Sequence, residues 1–287
     1  MIRLFKTLWA ALYNMFNDLS IDISGYIAYT SLLALFPFLM LVISVATYFG
    51  TGELTESALQ QFYSVLPPEV VGAISPIVQE ITEQQSGRIL TLSLLAIFWI
   101  SSSSIEAVRE GINHAYGITE RRSFLFRRVQ AVFFVILASG SFLLASLLLI
   151  VLPVGLEIWQ HLEVYFKKLP NLPESLGLHM SILKLISAYL LIMLSFVGMY
   201  KWLPNRKNTI GECLPGAAIS SGLWILSAAL FSLYLQNFAR YDVIYGSLGG
   251  IIVTLIFFQI TASLILYGAH FNRALNGIND PRVMYKS

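Results

Sequence analysis

Glu106, Arg109 and Glu110 stand three and four residues apart, so a helix would carry all three on one face. They follow Ser101, Ser102, Ser103 and Ser104 at the end of an apolar stretch, and His114 comes one turn later. An ion pair buried at the end of a membrane span would serve as a gate or an ion site. A solvated helical extension, with the serines at an interface, is the plainer alternative. A second polar group lies in the apolar stretch around Ile27, where Tyr26, Tyr29, Thr30 and Ser31 bring hydroxyls and Pro37 removes a backbone donor. It suits either a polar stripe facing a cavity, with Pro37 as a hinge, or interhelical hydrogen bonds beside an ordinary kink. Near the C-terminus, Tyr245, Ser247 and Gln259 add polar groups to a third apolar stretch, and the Gln259 amide needs a partner or water. The candidate pathway consists of Tyr29, Thr30, Ser31, Pro37, Glu106, Arg109, Tyr245, Ser247 and Gln259, with Asn205 at a turn between two such stretches.

Arg121, Arg122, Arg127 and Arg128 bracket Ser123–Phe126. Basic pairs around apolar residues below a span suit anionic lipid headgroups, and they also fix topology. Signs of catalysis are thin. No HExxH, GxSxG or GxxxxGK[ST] occurs, and no pair of carboxylates lies within an apolar stretch. The single cysteine, Cys213, excludes an intrachain disulfide and a cysteine-rich metal site. No broad basic face or nucleic-acid module is present. The expectation is a protein without enzymatic activity, cofactor, metal or nucleic-acid partner, whose partners are membrane lipids and a second copy or an envelope component.

The elements that must position these residues are set by composition. Apolar residues make up 56% of the 287 and charged residues only 12%, against roughly 25% charged in soluble domains. The apolar residues fall in blocks of about 20, the length that crosses about 30 Å of hydrocarbon. The pattern predicts an all-α integral membrane protein, a single domain over 1–287. Six spans are expected at roughly 25–49, 88–104, 129–156, 181–203, 214–236 and 245–270. Before them, Leu4, Leu8, Leu12, Met15, Phe16 and Leu19 recur at helical spacing, with Arg3, Lys6, Asn14, Asn17 and Asp18 opposite. This predicts an amphipathic surface helix over 2–20. Two short amphipathic helices are expected in loop 50–87, separated by Pro67 and Pro68. With the N-terminus inside, only Arg88, Lys167, Lys168, Lys184 and Arg240 of the 18 Lys and Arg face outward. Both termini are therefore expected in the cytoplasm of a bacterial cell, the chain lying in its inner membrane.

Four stretches together resemble the YihY/BrkB family of bacterial inner-membrane proteins over roughly residues 8–275. They are Ala28–Pro37, Arg109–Asn113, Trp202–Asn205 followed by Pro215-Gly216-Ala217, and Tyr245–Gly250 leading to Gly268-Ala269. The resemblance implies about six spans with both termini inside, and no settled activity. Members have carried the label ribonuclease BN, widely regarded as a misassignment. Others are described as transporters, exporters or virulence-associated proteins, with envelope lipid traffic a recurring suggestion. The family usually closes its last span with Gly-Ala-Glu or Gly-Gly-Glu, whereas this chain has Gly268-Ala269-His270. A lone histidine at a membrane boundary is expected to be interfacial.

The functional expectation is a transporter, exporter or lipid translocase of the bacterial envelope, without its own ATPase. The alternative is a non-transporting scaffold for envelope assembly. An enzyme such as the ribonuclease of the family label ranks third. Within the pathway, Arg109→Ala should harm function more than Arg122→Ala, because Arg109 has helical partners nearby.

Overall fold

The computed structural model describes residues 2–49, 75, 87–141, 175–237 and 248–277. The regular structure among them is helical: α1 (Ile2–Asn17), α2 (Ser20–Phe49), α3 (Gly87–Tyr116), α4 (Phe124–Ser141), α5 (Ser175–Trp202), α6 (Ile210–Asn237) and α7 (Leu248–Leu275). Among the described residues, three stretches are long and apolar enough to cross a membrane: Phe124–Ser141, Ile210–Leu235 and Gly249–Leu275. Tyr189–Trp202 is a shorter apolar helix. The 26 residues of Ile210–Leu235 rise about 39 Å at 1.5 Å each, enough to cross with tilt. Tyr245, Ser247 and, apart from Ser75, the expected outer helices lie outside the described residues.

Helix ends follow local chemistry. Thr209 and Glu212 form a capping box at the start of α6: the Thr209 N–H donates to Glu212 Oε2 at 2.9 Å, and the Glu212 N–H donates to Thr209 Oγ1 at 3.4 Å. At the end of α3, Gly117 takes φ +68°, its N–H reaches the His114 carbonyl at 2.9 Å and the Ile118 N–H reaches the Asn113 carbonyl at 2.8 Å. This is a Schellman cap, and the left-handed position favours glycine. Helix α2 continues through Pro37.

Two elements differ in character from expectation. The span expected at 88–104 is the first part of a helix that runs on to Tyr116. It continues because Ala107, Val108, Ile112 and Ala115 are buried at helical spacing, so this segment is a packed face and not a solvated extension. Helix α1 also departs from a simple split. Ala11 and Met15 are buried, α1 packs on α7, and the Tyr267 hydroxyl donates to the Leu8 carbonyl at 3.4 Å. Phe5, Trp9, Tyr13, Phe16 and Leu19 are exposed. One edge of α1 is thus packed against α7 and another presents aromatics outward, the disposition suited to a membrane boundary.

The chain forms two compact units, the first of Met1–Ala34, Ser102–Ala131 and Ser187–Ser287, the second of Leu35–Ser101 and Val132–Ile186. In the second, Phe134, Val135 and Ser139 of α4 are buried, and the Ser139 hydroxyl donates to the Val135 carbonyl at 2.9 Å. The first holds a seam where α6 meets α7. A Cβ built on Gly216 would lie 2.3 Å from the Gly268 carbonyl oxygen, and one on Gly268 would lie 2.1 Å from Ser220 Oγ. Only glycine permits this approach, the small-residue packing available where no hydrophobic force drives helices together. Pro215 removes a backbone donor from α6 here, and α7 supplies polar partners on both sides of it. Asn272 Oδ1 accepts from the Gly216 N–H at 2.7 Å, and Asn276 Nδ2 donates to the Glu212 carbonyl at 3.1 Å.

Candidate functional site

The expected helical face of Glu106, Arg109 and Glu110 exists, and burial divides its three residues. Arg109 is only 1% exposed, Glu106 is half-buried and Glu110 is exposed. Arg109 donates to Glu106 Oε2 through Nη1, and through Nη2 to the Arg127 carbonyl at 3.0 Å and Gln130 Oε1 at 3.2 Å. A guanidinium so far from water needs such partners, because a buried unpaired charge costs several kcal/mol. They come from its own helix and from the first turn of α4, whose start is fixed by Ser123 accepting from the Phe126 N–H at 3.4 Å.

Beside this pair lies a cavity of about 450 Å³, lined by Glu106, Arg109, Glu110, Asn113, His114, Ile118, Glu120, Phe124 and Arg127. Glu106 Oε1, Arg109 Nε and Arg127 Nε are buried with no hydrogen-bond partner among the described residues. Unpaired groups in a polar cavity of this size are places for water or a polar solute. His114 Nε2 is hydrogen-bonded to the Asp18 carbonyl at the α1–α2 turn.

A second layer holds the cavity floor. Asn113 Nδ2 donates to Glu120 Oε2 at 3.0 Å, and its Oδ1 accepts from the Asn205 N–H at 2.9 Å. Asn205 Nδ2 donates to the Thr119 carbonyl at 3.1 Å. Glu120 receives Arg122 as a fork, Nε at 2.9 Å and Nη2 at 2.7 Å, and Arg122 Nη2 also reaches the Leu203 carbonyl at 2.5 Å. Burial by itself would raise the Glu120 carboxyl. The opposing hydrogen bonds, from the Arg122 side chain and backbone and from Asn113, outweigh it and pull the carboxyl down to about 2. It is a fixed anion that ties the α3–α4 loop to the α5–α6 loop.

The other candidates scatter. Ser31 Oγ meets Ser104 Oγ at 2.8 Å, joining α2 to α3. Thr30 spends its hydroxyl on the Tyr26 and Ile27 carbonyls of its own helix, both at 3.0 Å. Tyr29 and Gln259 are exposed and Pro37 is half-buried. None of these lines the cavity. Of the four arginines assigned to lipid headgroups, Arg121 is exposed, while Arg122, Arg127 and Arg128 are drawn inward. Arg122 holds Glu120, Arg127 lines the cavity, and Arg128 is 8% exposed with Nη1 3.5 Å from Ser103 Oγ.

His270 requires a correction. It is fully buried, not interfacial, with Nε2 2.8 Å from the hydroxyl of Ser20, 250 residues away in sequence. That distant serine supplies a partner for one ring nitrogen, while Nδ1 is buried with none among the described residues. Neighbouring Asn272 and Arg273 are buried with it. Asn272 Nδ2 donates to the Cys213 carbonyl at 3.2 Å and to the Tyr116 hydroxyl at 3.3 Å. Arg273 donates to the Ala115 carbonyl at 3.1 Å and sits 3.6 Å from the Asp18 carboxylate. A polar triplet closing an apolar span was the available signal. Gln130 gave none, since Arg109 and the Trp202 carbonyl that it holds lie 21 and 72 residues away. Glu120 gave none because its partners Asn113 and Arg122 meet it through a loop, which has no period to read. Among the described residues, no group of three His, Cys, Asp or Glu side chains is placed to hold a metal ion.

Comparison with known proteins agrees with a membrane protein of several apolar helices. The chain is 30% identical over 257 residues to YfkH of Bacillus subtilis (strain 168), described as ribonuclease-like, covering 88% of this chain and 89% of that protein. It is 24% identical over 253 residues to a UPF0761 membrane protein of Vibrio vulnificus (strain YJ016), covering 88% of this chain and 76% of the relative. A UPF0761 membrane protein of Aggregatibacter aphrophilus (strain NJ8700) is 21% identical over 281 residues, 97% of this chain and 95% of the relative. No solved structure matches the chain. The family model described as virulence factor BrkB matches residues 11–283, and the chain accordingly belongs to the BrkB (UPF0761) family of membrane proteins.

Proposed function

We propose that this protein is a transporter or lipid translocase of the bacterial inner membrane, with both termini in the cytoplasm and no ATPase of its own. The observation that carries the reading is Arg109, 1% exposed and ion-paired to Glu106 on the wall of a cavity of about 450 Å³. Ionisable residues kept among apolar helices are costly and mark substrate or ion routes. Arg109 joins α3 to α4 through the Arg127 carbonyl and Gln130, and Glu106 of its own helix holds it in place. An anionic group entering the cavity competes with Glu106 for Arg109. The orientation rests on the Lys and Arg bias of the loops. Purified protein reconstituted in liposomes should move phospholipid or a small anion, with Arg109→Ala slowing the movement. Absence of any movement, with and without a proton gradient, refutes the proposal.

A non-transporting scaffold is the second reading, favoured by the glycine seam of α6 and α7. A close-packed seam serves rigidity alone, but rigidity has no need of a buried arginine beside a polar cavity. Partner capture by in-vivo cross-linking, together with inert liposomes, would favour the scaffold. An enzyme ranks third. Metal-dependent RNA cleavage by the purified protein, lost in Glu106→Gln or His114→Ala, would reverse that order.

A further inference from the structure

A second pocket, about 560 Å³, lies apart from the Glu106–Arg109 cavity within the same unit, and the transport reading does not use it. Four cations line it: Arg122, Lys201, Arg206 and Lys207. No carboxylate is among the lining residues. Arg122 is neutralised by Glu120, and Arg206 has Glu212 only at 3.9 Å, the outer limit of an ion pair. Lys207 is exposed, and Lys201 Nζ rests 5.2 Å from the Trp202 ring centre. Gathering like charges is unfavourable by itself, so a surplus of positive charge facing one pocket fits an anionic occupant.

The pocket wall is built and not a chance surface cluster. Gln130 Nε2 donates to the Trp202 carbonyl at 2.6 Å, and Asn208 Nδ2 donates to the Tyr200 carbonyl at 2.8 Å. Arg122 Nη2 donates to the Leu203 carbonyl at 2.5 Å. Three apolar helices meet here, at the start of α4, the end of α5 and the start of α6. Trp202 and Phe126, 53% and 54% exposed, flank the cations. An amphipathic tryptophan such as Trp202, beside cations at the ends of apolar helices, marks the headgroup level of a bilayer.

We infer that this pocket binds a phosphate-bearing anion at the headgroup level, its charge shared among Lys201, Arg206 and Lys207. The inference rests on the chain lying in a membrane and is independent of the transport reading. A phospholipid headgroup and a free phosphate share this chemistry.

The test uses full-length protein in detergent. Phosphatidylglycerol and phosphatidylcholine are compared by native mass spectrometry, with inorganic phosphate and glycerol phosphate added as competitors. Lys201→Gln/Lys207→Gln removes two charges without touching the Arg122–Glu120 fork. Arg121→Gln removes one exposed charge outside the pocket. At about fivefold in affinity per lysine, the double variant should bind phosphatidylglycerol about thirtyfold more weakly, and Arg121→Gln should bind as wild type. No displacement by the soluble anions identifies the lipid as the source, and displacement identifies free phosphate. Both support the site. Equal binding of the two lipids with no binding of either soluble anion overturns it. So does undiminished binding by the double variant, or an equal loss in Arg121→Gln.

Discussion

Arg109→Ala tests whether the buried ion pair is a keystone or an ornament. The substitution removes the hydrogen bonds to Glu106, the Arg127 carbonyl and Gln130, and strands the Glu106 carboxylate in a largely buried place. Truncating one partner of a buried pair costs about 3–5 kcal/mol. Glu106 is 21% exposed, so water recovers part of its charge and the lower end applies. Cys213 offers a direct assay, because it is the single cysteine of the chain and is fully buried. A loss of about 3 kcal/mol raises the open population about a hundredfold, and labelling of Cys213 by a thiol reagent should accelerate accordingly. Arg109→Met/Glu106→Gln, which removes both charges, should recover most of the loss. Arg122→Ala should fall between, since Arg122 has as many partners but is 18% exposed. Burial, and not the helical partners the sequence suggested, is what separates the two arginines. If Arg109→Ala labels no faster than exposed Arg121→Ala, the keystone argument fails.

Other predictions follow from the same geometry. Gly268→Ala places a Cβ 2.1 Å from Ser220 Oγ and 2.3 Å from the Tyr200 hydroxyl, and should destabilise by about 2 kcal/mol or more in thermal unfolding. Gly222→Ala, with nothing within 4 Å, should be neutral or slightly stabilising. The Glu120 carboxyl is pulled from 4.5 down to about 2 in the folded chain, so its stabilising contribution is complete above pH of about 4.5 and lost as pH falls toward about 2. Glu120→Gln should flatten unfolding midpoints across that window, and an unchanged acid profile would refute the role of the fork. Asn272→Leu leaves the Gly216 N–H without its side-chain acceptor beside Pro215 and should cost about 1–3 kcal/mol, read by Cys213 labelling.

Much of this was legible in the residues themselves. Apolar blocks of spanning length announced a membrane protein, because a charge-poor stretch of that size has no stable place in water. The helical spacing of Glu106 and Arg109 announced their pairing, since three residues along a helix is a neighbour distance. Thr209 and Glu212 cap α6 ahead of the start expected for its span at 214, and Asn113, Asn205 and Gly268 all have structural work. These are local or periodic signals, and a helix turns them into geometry without help from the rest of the chain.

Tertiary structure decided which of those signals mattered. Whether the 105–116 segment would be solvated or packed depended on what lay against Ala107, Ile112 and Ala115, and no sequence window contains that information. The hydroxyl stripe of α2 dispersed, because Thr30 satisfied itself on its own backbone while Ser31 found Ser104. Arg122, placed for lipid by its spacing, turned inward because Glu120 and the α5–α6 loop were within reach, and Arg128 turned toward Ser103 of α3. His270 could be buried only because Ser20 arrives from the far end of the chain. The sequence by itself determined solvent preference and periodicity, which depend on residue type and spacing. The fold determined burial and partnership, which depend on residues hundreds of positions apart meeting at one place.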